Sequence, residues 1–282
     1  MSQHEQRIRE YLQRLDPKEF GLNEVKSITI RKLGLGESNL NYLVVVSGKK
    51  FIVRINMDPS SPLKSEREYD SLMVVEPLGI APRAFHFEPS KDYLDEAFII
   101  LEYLEGTSLD KCGEIDECIV TSLARVVAYL HNTNVGNLRE ELRRSRSSKT
   151  DILREIRKRI SYIEAKRRKY FDEKGNFESI LAVSYGKLEE LKFEEEPCYV
   201  LGHGDIAPQN VVLSEGELKL VDWEDLGLID PALEITVIFD SFDFSDRQKE
   251  LFLKEYEALR NDAGLRKRIS IYWLFQLFDV FC

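Results

Sequence analysis

A block near residue 200 combines residue types that suit the transfer of a phosphoryl group. Residues 201–213 read LGHGDIAPQNVVL, with Asp205 and Asn210 five positions apart. Phosphoryl transfer from a nucleotide needs a carboxylate near the acceptor hydroxyl and oxygen ligands for the metal ion on the phosphates. An Asp and an Asn at this spacing on one tight loop supply both. The block therefore predicts a catalytic loop in which Asp205 faces the acceptor and the amide oxygen of Asn210 faces the metal.

A second aspartate follows this block at the end of a predicted hairpin. Two short strands, 211–213 and 217–222, are expected to be joined by a Glu-Gly turn. The hairpin ends in Leu-Val-Asp-Trp-Glu, which places Asp222 where a second metal-binding carboxylate is needed. The plainer alternative is that His203 and Asp205 cap a loop and Asp222 ends a strand. The combined pattern favours the phosphoryl-transfer interpretation.

These motifs are similar to those of the aminoglycoside phosphotransferase and choline kinase family, which shares the eukaryotic protein-kinase fold. His-Gly-Asp with Asn210 resembles the family's catalytic loop, and Asp-Trp-Glu at 222–224 stands where protein kinases have Asp-Phe-Gly. The resemblance implies that Asp205 is the catalytic base or orients the acceptor hydroxyl, and that Asn210 and Asp222 hold Mg²⁺. It implies a supporting role for His203. The Gly-x-Asp form, without the Arg of His-Arg-Asp, favours small-molecule acceptors.

A glycine-rich segment near the amino terminus lies between two predicted strands. It reads LGLGESNLNYLV at 33–44, and glycines there let the backbone approach phosphates, which free N–H groups and a hydroxyl are able to bind. An ordinary glycine-rich hairpin turn is the alternative. The segment is similar to the nucleotide-covering loop of the family, and this implies nucleotide contacts from Gly34, Gly36, Ser38 and Asn39.

The strand FIVRI at 51–55 resembles the family strand that carries the phosphate-binding lysine, with Arg54 in its place. A cation there would neutralise the α- and β-phosphates, and Arg does so with a planar fork. Its expected partner is a carboxylate on the next helix. Glu68 is preferred and Glu66 is the fallback, while an ordinary exposed helix charge is the alternative for each.

The segment IILEYLEG at 99–106 looks like the hinge of a kinase. The resemblance implies that backbone groups of Glu102, Tyr103 and Leu104 bond the base of ATP or GTP.

The resemblance and the element pattern together predict an α+β, protein-kinase-like two-lobe fold. Residues 1–104 are expected to form a small β-rich N-lobe, a nucleotide-covering sheet with one helix. That helix should follow Ser61-Pro62 and turn Tyr69, Leu72 and Met73 inward, because these residues have the i, i+3, i+4 spacing of one helix face. Residues 105–282 are expected to form a helical C-lobe with the catalytic loop, the metal site and the acceptor pocket.

Composition excludes several classes of protein. The chain has 282 residues and a net charge of −10, with 40 basic and 50 acidic side chains, which argues against a general nucleic-acid binder. Four cysteines without a CxxC pair, and polar first residues, favour free thiols in the cytoplasm. No stretch approaches the roughly 20 apolar residues of a spanning helix. The oligomeric state stays open.

Two further segments have uneven composition. Residues 139–169 hold thirteen basic and five acidic side chains, and this segment is either a solvated helix face or a docking surface for an anionic partner such as RNA or a membrane. The apolar run at 272–282 predicts a buried final helix.

The acceptor is left open at this point. Carboxylates that follow Asp222 in the sequence would attract a cationic acceptor, and nearby aromatic rings could bind it by cation–π contacts. The carboxylates include Asp230 and Glu234, and the rings are Trp223, Tyr272 and Trp273. Solvated acids around an aromatic core are the alternative. Aminoglycosides, choline or ethanolamine, amino acids and neutral sugars all fit, and a non-catalytic nucleotide-binding protein of the same fold is a second hypothesis.

Overall fold

The computed structural model describes residues 2–35, 39–57, 61–136 and 198–276, together with isolated positions between 154 and 190. The chain divides into two compact units, 1–113 with 209–226, and 114–208 with 227–282. The expected boundary lay after residue 104, whereas the first unit extends to Gly113 and takes in the later hairpin. The reason is strand pairing, because residues 106–108 pair with residues 212–214.

The main sheet of the first unit has five antiparallel strands in the order β1-β2-β3-β5-β4. Their bounds are β1 Ile28–Leu35, β2 Asn39–Val46, β3 Lys49–Asn56, β4 Ala84–Glu88 and β5 Phe98–Glu102. The alternation of residues predicts strands at 27–33, 40–46, 50–56 and 97–102, and these match β1, β2, β3 and β5 to within two residues. Strand β4 was not predicted; one buried position in it is followed by four half-buried ones.

The amino-terminal helix α1 covers one part of this sheet. It runs from Gln3 to Leu12 and begins with a capping box between Ser2 and Glu5. Its apolar face joins a core cluster with the inward side chains of β2 and β3. The shared members are Ile8, Tyr11, Leu12, Tyr42, Val44, Val46, Val53 and Ile55.

Helix α2 runs from Ser61 to Val75 and turns a partly polar face inward. Its buried positions follow the helical spacing of 3 and 4 from Glu68. They are Ser65, Glu68, Ser71, Leu72 and Val75. The prediction for Leu72 is confirmed, but that for Met73 was wrong, since its side chain is 50% exposed. Helix α2 therefore presents a carboxylate at the centre of its inward face.

A second, three-stranded sheet of the first unit has the order β6-β8-β9. The strands are β6 Gly106–Ser108, β8 Val211–Ser214 and β9 Glu217–Leu220. The turn between β8 and β9 has positive φ at both Glu215 (52°) and Gly216 (84°), as tight hairpin turns require. This hairpin, which the sequence predicts, brings Asn210 and Val221 to its open end.

Helices dominate the second unit. Its elements are α3 Glu117–His131, β7 Val200–Gly202, β10 Gly227–Ile229, α4 Pro231–Ser241, α5 Asp246–Leu259 and α6 Leu265–Gln276. Helix α3 packs on α5, α4 packs on α6, and β7 pairs antiparallel with β10. The spacing of apolar residues from 115 to 130 predicts one helical stripe here, and its members Leu123, Val127 and Leu130 are buried.

Two predicted segments fall largely outside the described residues. The basic segment 139–169 is described only at isolated positions, and the predicted final helix is described as α6 to Gln276, whereas 277–282 lie outside. In the part of the chain that is described, no helix has both the length and the apolar character needed to cross a membrane.

Candidate active site

Arg54 is the centre of a buried ionic cluster in the first unit. It lies on β3, where its guanidinium is held between two carboxylates of distant origin. Nη1 lies 3.1 Å from Glu68 Oε1 on α2, and Nη2 donates to Asp222 Oδ1 at 2.5 Å. Both Arg54 and Glu68 are more than nine-tenths buried. Of the two helix carboxylates considered, Glu68 therefore reaches Arg54, while Glu66 is exposed.

Burial and charge compete in this cluster. Burial alone would lower the pKa of Arg54, but the negative charges of Glu68 and Asp222 outweigh it and raise that pKa. Burial raises the pKa of Glu68 to about 7, opposed by the charge of Arg54 and assisted by the charges of Asp222 and Glu224. One guanidinium faces several carboxylates. Glu68, the most deeply buried of them, therefore binds a proton at a higher pH than an ordinary glutamate does.

Asn39 supplies a neutral partner to the same guanidinium. It is 7% exposed at the start of β2. In the amide orientation that satisfies both groups, its side-chain oxygen accepts from Arg54 Nη2 at 2.5 Å and from Nε at 3.3 Å. The predicted nucleotide contact Asn39 thus lies beside the predicted phosphate-binding cation. Gly34 lies in β1, next to a register shift, while Gly36 and Ser38 fall outside the described residues.

Asp222 has an uncommon backbone conformation that aims its carboxylate. Its φ is 71° and its ψ is 63°, the left-handed region that side chains other than Gly rarely adopt. The next residue anchors the turn, because Trp223 is completely buried and its indole N–H donates to the carbonyl of Leu220 at 2.8 Å. Packing of one aromatic ring therefore maintains a conformation that would be costly by itself.

Asn210 is tied to the same turn by the hairpin. Its carbonyl accepts from Val221 N–H at 2.9 Å, so Asn210 and Asp222 flank the open end of one pair of strands. Carboxylate and amide oxygens are the donors that Mg²⁺ prefers, and Mg²⁺ is commonly held by one or two carboxylates with substrate phosphates. Near them, Glu224 Oε2 is buried and has no hydrogen-bond partner among the described residues. The residue types of this turn are thus those that Mg²⁺ prefers, while among the described residues no three His, Cys, Asp or Glu side chains form a group that could hold a metal ion by themselves.

A cavity of about 350 Å³ opens beside the ionic cluster, and all of its lining residues belong to the first unit. Part of its lining is ionic, from Arg54, Glu68 and Asp222. Much of the remainder is apolar and comes from both sheets, namely Leu33, Ile52, Leu101, Leu104, Val212 and Val221. Ile52 and Arg54 are two residues apart on β3 and so share a face. A cavity with an apolar wall and a cationic group suits a flat base carrying phosphates.

The predicted hinge residues Glu102, Tyr103 and Leu104 all line this cavity. The N–H of Glu102 donates to the carbonyl of Arg83 at 2.8 Å, which fixes the end of β5. One oxygen of the Glu102 side chain accepts from the Arg83 N–H at 3.1 Å. A backbone contact from Glu102 to a base is thus left to its carbonyl.

Asp205 of the predicted catalytic loop belongs to the second unit, unlike the two predicted metal ligands. It is exposed, and it follows Gly204, whose φ is 88°. His203 is completely buried, and its Nδ1 accepts from the Asp205 N–H at 3.3 Å, which agrees with a supporting role. The structure thus brings Arg54, Glu68, Asp222 and Asn39 together, and it places Asn210 on the same hairpin as Asp222.

Sequence reasoning missed the residue that anchors this loop. Glu234 of α4 is 2% exposed, and its Oε1 accepts from the Gly204 N–H at 2.7 Å. No sequence pattern marked it as an anchor, and it was instead grouped with the acids that would attract a cationic acceptor. Burial by itself would raise the pKa of Glu234, but hydrogen bonds from His131 and Gly204 keep it below its ordinary value.

Several members of the expected cationic-acceptor wall are internal instead. Asp230 is completely buried and accepts from Arg268 Nε at 3.0 Å and from the Tyr272 hydroxyl at 2.8 Å. Trp223 is buried in the core, as described above. These groups, like Glu234, are committed to structural partners, because a buried charge must be paired. Of the two alternatives, the aromatic core therefore holds for Trp223 and Tyr272, whereas Asp230 and Glu234 are buried and not solvated.

Known structures with the same fold include the choline kinase LicA from Streptococcus pneumoniae. It is 21% identical, with a TM-score of 0.62, and the match covers 96% of this chain and 87% of that one. Spectinomycin phosphotransferase, solved with ADP and spectinomycin, is 14% identical with a TM-score of 0.62, over 91% of this chain and 81% of that one. The predicted α+β fold of this type is confirmed.

Sequence comparison supports the same assignment. Protein LicA from Haemophilus influenzae is 26% identical over 234 residues, which cover 82% of this chain and 63% of that protein. The chain therefore spans somewhat less than two thirds of the length of this relative. The model of the phosphotransferase enzyme family, APH, matches residues 29–268. This range includes the glycine-rich segment, Arg54, the predicted catalytic loop and the turn at Asp222. The resemblance on which the site residues were chosen is confirmed: this chain belongs to the phosphotransferase enzyme family.

Proposed function

We propose that this chain is a small-molecule kinase that transfers the γ-phosphoryl group of ATP to a hydroxyl of its acceptor. The observation that carries the proposal is the clamp on Arg54, held by Glu68 and Asp222 at a cavity with an apolar wall. A buried guanidinium that lines a cavity is suited to bind phosphates with its planar fork. The apolar side chains and the backbone of Glu102–Leu104 would receive the base, and Asn39 would hold the guanidinium in place.

Asn210 and Asp222 would hold Mg²⁺, since the two residues flank the open end of one hairpin. When bound, Mg²⁺ would neutralise charge on the phosphates that it contacts. Arg54 adds a second, permanent positive charge. Asp222 would belong both to the Mg²⁺ site and to the phosphate site, because its carboxylate already accepts from Arg54. We expect it to divide its two oxygens between the guanidinium and the metal.

Asp205 would orient the acceptor hydroxyl and accept its proton during transfer. Its exposure agrees with this role, because an acceptor must reach the carboxylate. Two contacts hold the backbone that leads into it, the bond from its own N–H to His203 and the bond from the Gly204 N–H to Glu234. Such positioning contributes to phosphoryl transfer because the reaction requires in-line geometry more than covalent help from the protein.

For the acceptor, we place an amino alcohol such as choline or ethanolamine ahead of the aminoglycosides. The support is the match to LicA, a name shared with the choline kinase of Streptococcus pneumoniae. The internal pairing of Asp230 and Glu234 removes part of the acidic surface that a polycationic aminoglycoside would need. We also propose a cytoplasmic site of action, where ATP is available; Cys112, Cys118 and Cys198 are free thiols.

The test is a screen of ATP consumption with Mg²⁺ across choline, ethanolamine, aminoglycosides, amino acids and simple sugars. We expect phosphorylated product with an amino alcohol and none with the Asp205→Ala variant. A thermal-shift assay with ATP and Mg²⁺ separates the alternatives. A shift without any turnover would support a non-catalytic nucleotide-binding protein, and the lack of any shift would contradict the proposed nucleotide site. GTP in place of ATP tests the choice of base.

A further inference from the structure

Asn41 of β2 lies directly opposite Arg54 of β3. The two residues are partners in the antiparallel pairing of these strands, so their side chains leave the same face of the sheet. Both line the cavity of the first unit, and Asn41 is half-buried there. The family resemblance implied nucleotide contacts from four positions of the glycine-rich segment, and Asn41 was not one of them.

The guanidinium of Arg54 has few donors left for a ligand. Of its five N–H groups, two face the side-chain oxygen of Asn39, which lies 2.5 Å from Nη2 and 3.3 Å from Nε. Nη1 also faces Glu68 at 3.1 Å, and Nη2 faces Asp222 at 2.5 Å. Within the described residues, one N–H on Nη1 remains. A phosphate chain presents many oxygens, so a further donor is needed beside Arg54.

The side-chain amide of Asn41 is suited to be that donor. It makes no hydrogen bond with any residue that the structure describes. Its NH₂ group has two N–H donors, and it carries no charge that would require a partner in the cavity. Asn39 lies two residues earlier on the same face, but its oxygen is already committed to Arg54. Asn41 is thus the amide of this pair that a ligand is able to use.

The register of β2 with β3 indicates which part of a nucleotide Asn41 would meet. Ile52 belongs to the apolar wall of the cavity, and Arg54 belongs to its ionic part. Two residues along a strand correspond to about 6.6 Å. The base suits the level of Ile52, and the phosphates suit the level of Arg54. Asn41 is opposite Arg54, so it lies at the level of the phosphates.

We propose that the side chain of Asn41 binds the phosphates of the nucleotide, as a neutral donor beside Arg54. Its amide supplements the one N–H that the guanidinium has left. This inference rests on the proposed function, which puts a nucleoside triphosphate in this cavity. It deepens that function by assigning part of the phosphate recognition to a strand side chain.

Two substitutions of Asn41 remove its donors in different ways. Asn41→Val suits a strand and has no hydrogen-bonding group, and we expect the Kd for ATP with Mg²⁺ to rise about tenfold. Asn41→Asp has nearly the same shape but brings a negative charge to the phosphates, so the Kd should rise about 100-fold. Isothermal titration calorimetry measures both values.

Asn134→Asp is the matched control for the added charge. Asn134 is exposed in the second unit, and its Oδ1 accepts from the Gly136 N–H at 2.8 Å, a bond that an aspartate keeps. This variant should bind ATP as the wild type does. If Asn41→Asp does not fold, Asn41→Val decides the question, because it adds no charge.

A series of ligands separates phosphate binding from damage to the cavity. With ATP, ADP and adenosine, the ratio of the variant Kd to the wild-type Kd should be large for the two phosphorylated ligands and close to one for adenosine. An equal loss of affinity for adenosine would overturn the proposal, since it would show that Asn41 supports the base or the shape of the cavity. Wild-type affinity for ATP in both Asn41 variants would also overturn it.

Measurements of turnover distinguish failure of this inference from failure of the proposed function. If the wild type binds ATP through Asn41 but phosphorylates no acceptor, the proposed function fails and the inference stands. If the wild type is an active kinase and both Asn41 variants bind ATP as it does, the inference alone fails. A wild type that binds no ATP would overturn both.

Discussion

Arg54 and Asp222 are 168 residues apart in the sequence, and Nη2 of the first donates to the carboxylate of the second at 2.5 Å. This contact joins a strand of the main sheet to the turn that follows the second sheet. The same guanidinium contacts Glu68, so one side chain connects three elements of the first unit. The cluster is therefore both a structural junction and the proposed site for phosphates.

Arg54→Lys should weaken nucleotide binding even though it keeps the charge. A single ammonium lacks the planar fork that reaches Glu68 and Asp222 together. We therefore expect the Kd for ATP with Mg²⁺ to rise about tenfold, which corresponds to the loss of one charge-assisted hydrogen bond. Isothermal titration calorimetry measures this change. Arg83→Lys is the control, because Arg83 is exposed and lies 3.5 Å from Glu76. Wild-type affinity in Arg54→Lys would refute the role given to the fork.

The raised pKa of Glu68 predicts a pH dependence of stability. Because the folded chain binds this proton more tightly than the unfolded chain, the contribution of Glu68 is fully present below pH 4.5 and is lost as the pH rises through about 7. Glu68→Gln removes the titration, so the difference in free energy of unfolding between wild type and variant should decline across that window. Urea denaturation at several pH values measures it.

Glu66→Gln is the matched control for this titration, because Glu66 is exposed on the same helix. Its pH profile of stability should follow that of the wild type. A Glu68→Gln variant whose profile also parallels the wild type would show that Glu68 does not titrate in this window.

Asp205→Asn should abolish most turnover while sparing nucleotide affinity. Loss of a positioned general base lowers rates by about 100-fold to 10,000-fold. The Kd for ATP should stay near the wild-type value, since Asp205 does not line the cavity. Steady-state kinetics and calorimetry on the same preparation test both parts. Asp246→Asn, at an exposed carboxylate of the same unit, should behave as wild type. Retained turnover in Asp205→Asn would remove Asp205 from the mechanism.

Gly202→Ala should destabilise the second unit. A Cβ there would lie 2.1 Å from Ile229 Cγ2 as well as close to the Glu234 carboxylate. Overpacking of this kind costs about 1–3 kcal/mol of unfolding free energy. Gly113→Ala is the comparison, since a Cβ at Gly113 would meet nothing within 4 Å. Urea denaturation of both variants measures the difference, and equal stabilities would show that the strand adapts at residue 202.

Local patterns predicted the parts of the site that lie close together in the sequence. The loop with Asp205 and Asn210, the hairpin and Asp222 fall within about twenty residues, where turn chemistry and strand alternation determine the path of the chain. Helix α2 was predicted from its Pro and its spacing, and the same spacing favoured Glu68 over Glu66, which the contact with Arg54 bears out. The error at Met73 arose because the inward stripe runs through Glu68, Ser71 and Leu72, and the edge of that stripe depends on tertiary packing.

The amino-acid sequence alone determined the fold class, the family resemblance and the order of the chemical groups along the chain, because these depend on residue type and short spacing. Only the tertiary structure decided which charges meet. It paired Arg54 with Asp222 and it turned Asp230 and Glu234 inward, where composition indicated a surface for cations. The physical reason is that a buried carboxylate is stable only beside a donor, and these donors come from elements far away in the sequence. Spacing along one chain contains no information about such partners.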